Sequence, residues 1–177
     1  TPIHERDTVL VHAAAGGVGT ILIQLAKLKG AEVIAKVGRD EKRSVVNKLG
    51  ADFTVNYNTS DYIEQIKHYL KGARIDISFN PVAGGTFKKD MNILGSGGRM
   101  VLFGGSELSR GKWGLFSKIN FVRKMGVILP IKLMINSKSI IGVNMLKIAD
   151  NKPKVLESCL KASVSLCQRG KITPKIG

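Results

Sequence analysis

A chain of 177 residues, 44% hydrophobic and 23% charged, is the size of one ordinary domain and has the composition of a folded, soluble protein with a real core. Twenty-eight Lys and Arg against 13 Asp and Glu leave a formal charge of +15, which attracts polyanions in general and narrows the partner class without naming a partner. The two cysteines, Cys159 and Cys167, form no Cys-x-x-Cys pair and have no His at ligand spacing, which argues against a zinc site or a disulfide framework; buried free thiols in a reducing, cytoplasmic protein are the expectation.

The opening TPIHERDT carries Pro and charges where a signal peptide would be apolar, so nothing points to export. A strand at 9–13 follows almost at once, with no initiator Met, and the chain ends as abruptly in GKITPKIG, as though cut from something larger. Val18, Ile21, Leu22, Leu25 and Leu28 fall on one side of a helix over 17–29. β-Branched runs then predict strands at 32–37, 53–56, 75–79, 98–103 and 139–144, with shorter helices at 40–49, 59–70 and 84–94 between them. The last helix is marked by Asn151 and Pro153 at its start, Leu156, Cys159, Leu160 and Cys167 along one side, and Gly170 as its stop. This alternation predicts an α/β Rossmann architecture in one domain: a doubly wound parallel sheet of about six strands with helices on both faces, because parallel neighbours need right-handed crossovers.

The glycine cluster AAGGVG at 14–19 lies between the first strand and the first helix. There the backbone of Ala15, Gly16, Gly17, Val18 and Gly19 can turn tightly and let a pyrophosphate approach the amides at the helix N-terminus. Ala14 stands where the common G-x-G-x-x-G pattern has its first glycine, so the motif alone is weak and a purely structural strand–turn–helix remains the alternative; the flanking strands and helix favour a dinucleotide. After the second strand, where an NAD-binding domain usually places a carboxylate for the ribose, the run is Lys36, Val37, Gly38, Arg39, with Lys42 and Arg43 one turn on. Gly38 leaves room for a 2′-phosphate that Arg39 and Lys42 can neutralise, which favours NADPH over NADH. Asp40 and Glu41 suit a helix start, and a solvated basic surface is the competing reading.

The stretch VLVHAAAGGVGTILIQLAKLKGAEVIAKVGRDEKRSVVNKLGAD closely resembles the nucleotide-binding half of medium-chain dehydrogenase/reductases, in their zinc-independent quinone oxidoreductase (zeta-crystallin-like) branch. The resemblance continues in order through VNY, IDISFNPVAGGTF, GGRMVLFGG, SIIGVN and GKITPKI; FNPVAGG with the long insert before SIIGVNML is most similar to the vesicle amine transport protein subgroup. It implies that Lys42 and Tyr57 meet the 2′-phosphate and adenosine end, and that Asn80, Pro81, Val82, Phe103, Gly104, Gly105, Val143 and Asn144 line the nicotinamide. Asn80 departs from the Asp common at its position. The resemblance also implies NADPH without zinc, a quinone or enone as small-molecule substrate, a homodimer through the last strand, and an N-terminal GroES-like domain that is absent from these residues. An excised cofactor domain of this kind is expected to bind dinucleotide and turn over little, since hydride transfer needs near-attack geometry and excluded water.

Other chemistries are not indicated: there is no Tyr-x-x-x-Lys pair, no P-loop and no G-x-S-x-G elbow. No catalytic residue can be named. His12 reads as a core or strand-end imidazole ahead of a catalytic base, His4 and His68 as surface positions, and Ser106 and Ser109 as turn formers. The insert at 107–138 mixes apolar groups with Arg110, Lys112, Lys118, Arg123, Lys124, Lys132 and Lys138, and no acid occurs from Leu108 to Ala149. It is read first as a helical element at the cleft or an interface, second as an anionic-membrane contact, which would make the chain a peripheral dinucleotide-binding module with little activity, and last as a nucleic-acid surface, since its aromatics form no stacking pattern. Pro130 and Lys132 break the apolar run short of the roughly 20 residues a membrane span requires.

Overall fold

β-Branched and aliphatic runs too continuous to leave one face in water are the mark of strands buried on both sides, and they build the centre of this protein. The computed structural model describes residues 1–59, 61–104 and 123–174. Its elements are β1 (Thr8–Val11), α1 (Gly17–Leu28), β2 (Glu32–Val37), a 3₁₀ turn (Asp40–Lys42), α2 (Arg43–Lys48), β3 (Phe53–Asn56), α3 (Tyr62–Leu70), β4 (Ile75–Asn80), α4 (Gly85–Ile93), β5 (Leu94–Leu102), α5 (Pro130–Ile135), β6 (Ser139–Gly142), α6 (Met145–Asn151) and α7 (Pro153–Gln168). The six strands form one all-parallel sheet in the order β3-β2-β1-β4-β5-β6. The order reverses between β1 and β4, which opens a crevice at the carboxyl ends of those strands.

Side-chain alternation divides the core between the two faces. Val9, Val11, Val33, Ala35, Val37 and Ile77 face Ile23 and Ala26 of α1. Leu10, Ile34, Val55 and Met100 face Tyr62, Ile63 and Ile66 of α3 with Phe87 and Ile93 of α4. Toward the carboxyl ends the second face turns polar, with His12, Lys36, Ser78 and Asn80 all buried beneath α3 and α4.

Several bounds differ from the sequence expectation for identifiable reasons. β1 stops at Val11 because Ala13 adopts a left-handed backbone (φ 48°) that ends the extended run. β5 begins at Leu94, four residues before the expected start, and passes through Gly95, Gly97 and Gly98, residues whose type does not announce a strand. Beyond β6, α6 was not anticipated; Asn144 caps it by accepting bonds from Leu146 N (3.1 Å) and Lys147 N (3.2 Å). The expectation of buried thiols is corrected: Cys159 is exposed and Cys167 intermediate, because no residue of α7 is buried among the described residues and its apolar side, Val155, Leu160 and Val164, is exposed too.

Candidate functional site

Strand ends on the crevice side bring together turns that are far apart in sequence. The turn after β1 is held by His12 N donating to Phe79 O (3.0 Å) and Ala14 N to Lys36 O (3.1 Å), so it is tied to both neighbouring strands. Helix α1 starts on Gly16, which offers no side-chain cap, and its first turn contains no acid. The first i to i−4 bond runs from Thr20 N to Gly16 O (2.9 Å), so the amides of Gly17, Val18 and Gly19 precede the internal ladder. Ala15 is half-buried; Gly16, Gly17 and Val18 are exposed; Gly19 is buried. The three glycines are not equivalent. A Cβ at Gly19 would stand 2.4 Å from Ala13 O and 2.7 Å from Ala14 Cα, whereas one at Gly17 would meet nothing within 4 Å. Gly19 is therefore needed for helix–strand contact, and Gly17 leaves open backbone at a positively polarised helix end.

At the end of β2, Arg39 and Lys42 are exposed and enter no ion pair among the described residues. Arg43, next to them in sequence, is occupied: its Nε donates to Asp40 Oδ1 (2.6 Å) and its Nη1 to Thr54 O (2.8 Å). The Asp40 carboxyl is held below the usual range, first by Arg43 and then by Asn56. Gly38 has a second reason to be glycine, because a Cβ there would lie 2.5 Å from the Tyr57 hydroxyl. Tyr57, 44% exposed, thus walls this end of the crevice, and Asn58 Nδ2 braces the turn by donating to Gly38 O (2.7 Å).

The opposite end is built by the turns after β4, β5 and β6. Asn80 is fully buried; its Oδ1 accepts from Val82 N and Ala83 N (both 2.9 Å), and its Nδ2 donates to Thr86 Oγ1 and Asp90 Oδ2 (both 2.8 Å). Its side chain is used to shape the Pro81–Val82 turn, where Ala83 takes a left-handed backbone (φ 56°). Gly104 packs against that turn so closely that a Cβ would lie 2.9 Å from Pro81 O. Phe103, Gly104, Val143 and Asn144 line an adjoining cleft of about 530 Å³. Of the residues singled out from the sequence, Gly105, Ser106, Ser109 and the 107–122 part of the insert lie outside the described residues.

Beneath the crevice lies a buried network that sequence reasoning missed. Asp90 on α4 accepts from Tyr62 Oη at Oδ1 (2.8 Å) and from Ser78 Oγ (2.7 Å) and Asn80 Nδ2 (2.8 Å) at Oδ2. His12 Nε2 is also 2.8 Å from Oδ2, a close approach that is not aligned as a full hydrogen bond. On its other side, His12 Nδ1 faces Lys36 Nζ at 3.3 Å. An ammonium can only donate, so Nδ1 is the acceptor and the ring proton sits on Nε2 toward Asp90. Burial lowers the pKa of His12 and keeps the imidazole neutral, Asp90 opposing and Lys36 adding to that effect. Burial would raise the Asp90 carboxyl, yet His12, Ser78 and Tyr62 hold it below the ordinary range. The signal was partly present in the sequence: Lys36 interrupts an apolar strand, and the carboxylate missing at position 80 reappears at 90, bonded to Asn80. His4 and His68 are exposed.

Burial also lowers Lys36 from 10.5 to about 8, with Asp90 opposing. Between those values the unfolded chain binds the extra proton, so unfolding free energy is expected to rise with pH by about 2 kcal/mol from pH 8 to 10. The rise stops near pH 10, where tyrosines ionise in the unfolded chain while burial holds the Tyr62 phenol far higher. Urea titrations across this range check the slope, and Lys36→Met should flatten it.

In the remaining insert, Pro130 opens α5 as its first residue, and Val127, Ile131, Met134 and Ile135 are exposed. No helix among the described residues is long and apolar enough to cross a membrane, and among the same residues no group of three or more His, Cys, Asp or Glu could hold a metal ion.

Comparison with known proteins agrees with this geometry. Residues 17–161 match the zinc-binding dehydrogenase family. The chain is 33% identical over 125 residues to 2-haloacrylate reductase of Burkholderia sp, covering 71% of the chain and 36% of that protein. It is 26% identical to the synaptic vesicle membrane protein VAT-1 homolog of Danio rerio, covering 98% and 36%. The solved structure of Escherichia coli quinone oxidoreductase complexed with NADPH superposes with a TM-score of 0.77 at 28% identity, over 99% of this chain and 49% of that one. The chain thus spans between about a third and a half of the proteins it matches. A sheet with its crevice between β1 and β4, a glycine turn opening α1, and a family match over most of the length lead to one conclusion: the chain belongs to the zinc-binding dehydrogenase family, within the medium-chain dehydrogenase/reductases.

Proposed function

We propose that this chain is the coenzyme-binding part of an NADPH-dependent reductase acting on quinones or activated enones without zinc. The observation that carries the reading is the pairing of an uncapped, acid-free start of α1 with two exposed cations beyond the next strand, Arg39 and Lys42, that enter no ion pair among the described residues. Amides at the helix start suit a pyrophosphate, and the cations suit a 2′-phosphate. No carboxylate stands at the end of β2 to take a ribose hydroxyl. When bound, NADPH supplies a hydride; this chain's residues bind and orient it, with Tyr57 at the adenosine end and the turns of Pro81, Val82, Phe103, Gly104, Val143 and Asn144 at the nicotinamide end. On that side the described groove is open, Gly104 and Asn144 being exposed, so the chain alone is proposed to exclude water poorly and turn over little. A second copy pairing along the edge strand β6 is proposed as the partner that covers its unpaired backbone.

Calorimetric titration tests the coenzyme reading. NADPH is expected to bind at least about tenfold more tightly than NADH at roughly 0.01 M salt, and the difference should shrink near 1 M, where screening shortens from about 30 Å to about 3 Å. Equal affinities at both salt levels would remove the 2′-phosphate assignment, and no binding of either coenzyme would remove the whole reading.

A further inference from the structure

Lys36 is the only lysine or arginine buried among the described residues, at 5% exposure. Removing a cation from water is expensive, and an apolar residue in a β-strand would cost nothing of the kind. What distinguishes Lys36 is that its ammonium touches both the core network and the wall of the crevice. Its Nζ lies 3.7 Å from the Tyr62 ring centroid and 5.0 Å from that of Tyr57, within the range in which a cation is attracted to an aromatic face. Tyr57 is otherwise partly exposed, and its hydroxyl occupies the space beside Gly38, one residue before Arg39.

We propose that Lys36 is a positioning residue for the adenosine end of the coenzyme: from below the surface it holds the Tyr57 ring against the end of β2 and so fixes the wall beside which Arg39 and Lys42 meet the 2′-phosphate. The proposal rests on the NADPH reading above. His12, itself against Asp90, faces the ammonium at 3.3 Å, so the position of the Tyr57 wall is set by the protein's core rather than by the exposed loop that carries it. A neutral side chain of similar length at 36 would fill the same volume but leave Tyr57 held only by its own loop.

The groups that face Lys36 are His12 after β1, Asp61 and Tyr62 at α3, Lys89 and Asp90 on α4, and Tyr57 after β3. Between pH 7 and 9 His12 stays neutral, Asp61 and Asp90 stay ionised and Tyr62 stays protonated, while Lys36, lowered to about 8, loses its charge. Ring resonances of Tyr57 in the coenzyme-free chain should therefore move between pH 7 and 9, and the same resonances should stand still in Lys36→Met, which separates the effect from Tyr57 and Lys89 themselves. NADPH affinity should fall roughly tenfold in Lys36→Met and by a similar factor in Tyr57→Leu, with little further loss in the double variant. Additive losses, or full affinity in Lys36→Met, would overturn the proposal. Should Lys36→Met fail to fold, the unaltered chain decides: NADPH affinity must weaken severalfold from pH 7 to 9 in step with the Tyr57 shift, and a pH-independent ring and affinity overturn it. NADPH binding with a Tyr57 ring indifferent to pH removes Lys36 alone; no NADPH binding at all removes the coenzyme reading and this one with it.

Discussion

Gly19→Ala is expected to lower the melting temperature by roughly 10 °C, whereas Gly17→Ala, two residues away in the same motif, should leave it unchanged or slightly higher. The added methyl at 19 would stand 2.4 Å from Ala13 O, 2.7 Å from Ala14 Cα and 2.8 Å from Ala14 C. All three are backbone atoms in a turn tied to β2 and β4, so no side chain can rotate away, and α1 must lift from the sheet. Overpacking of this kind costs about 3 kcal/mol, and each kcal/mol is about 2–4 °C in a chain of this size. At Gly17 a methyl meets nothing, and alanine is the better helix former by about 1 kcal/mol. Its effect is expected on the ligand instead: NADPH should bind at least about tenfold more weakly, because the pyrophosphate can no longer approach the bare amides. Differential scanning calorimetry and coenzyme titration of the two variants separate the structural glycine from the binding one. A Gly17→Ala chain with full NADPH affinity would detach the glycine turn from coenzyme binding.

This contrast also marks where the sequence was legible. The glycine turn, the strands around it and the order of elements could be read because each depends on local features: β-branched runs, helical periodicity and breakers. Which glycine serves packing and which serves a ligand depends on what lies across the turn, which no local pattern records. The same limit hid the start of β5 at Leu94, since Gly95, Gly97 and Gly98 carry no strand preference and fall where the register with β4 shifts, between the Ile75–Leu94 and Ile77–Arg99 pairs. Gly38 could be read as room for a phosphate, but Tyr57, brought alongside by β3, also needs that room. Arg43, beside Lys42 in sequence, is held by Asp40 and the Thr54 carbonyl, partners that its neighbours in sequence do not announce in full. His12 was legible as a core imidazole; its partners were not, because Lys36 on β2 and Asp90 on α4 come from elements far apart in the chain, with α2, β3, α3 and β4 between them.

Those partners give the second large effect. Asp90→Ala should destabilise the chain by about 3–5 kcal/mol, since it takes a buried acceptor from several buried donors at about 1–3 kcal/mol each. The carboxylate receives Tyr62, Ser78 and Asn80 and stands against His12, so its loss leaves the buried Tyr62 and Ser78 hydroxyls without that acceptor, takes one of two acceptors from Asn80 Nδ2, and removes the negative charge that favours the Lys36 ammonium. The sign of the pH dependence follows from the depressed carboxyl. Its contribution is present above the unfolded value of about 4 and is lost as pH falls through the lower folded value, so the gap between the unaltered and Asp90→Ala chains should narrow in acid. Adding Lys36→Met to Asp90→Ala should recover part of the loss at neutral pH, since no buried cation is then left unpaired; urea denaturation of the four chains measures the coupling. The effect reaches the crevice through Asn80, whose Nδ2 is anchored by Asp90 while its Oδ1 holds the amides of Val82 and Ala83. Without that anchor the turn that packs against Gly104 loses its fixed shape, so coenzyme affinity should fall further than the loss of folded chain explains. A loss of less than about 1 kcal/mol would mean that water or rearranged side chains replace the carboxylate, and that this network does not support the site above it.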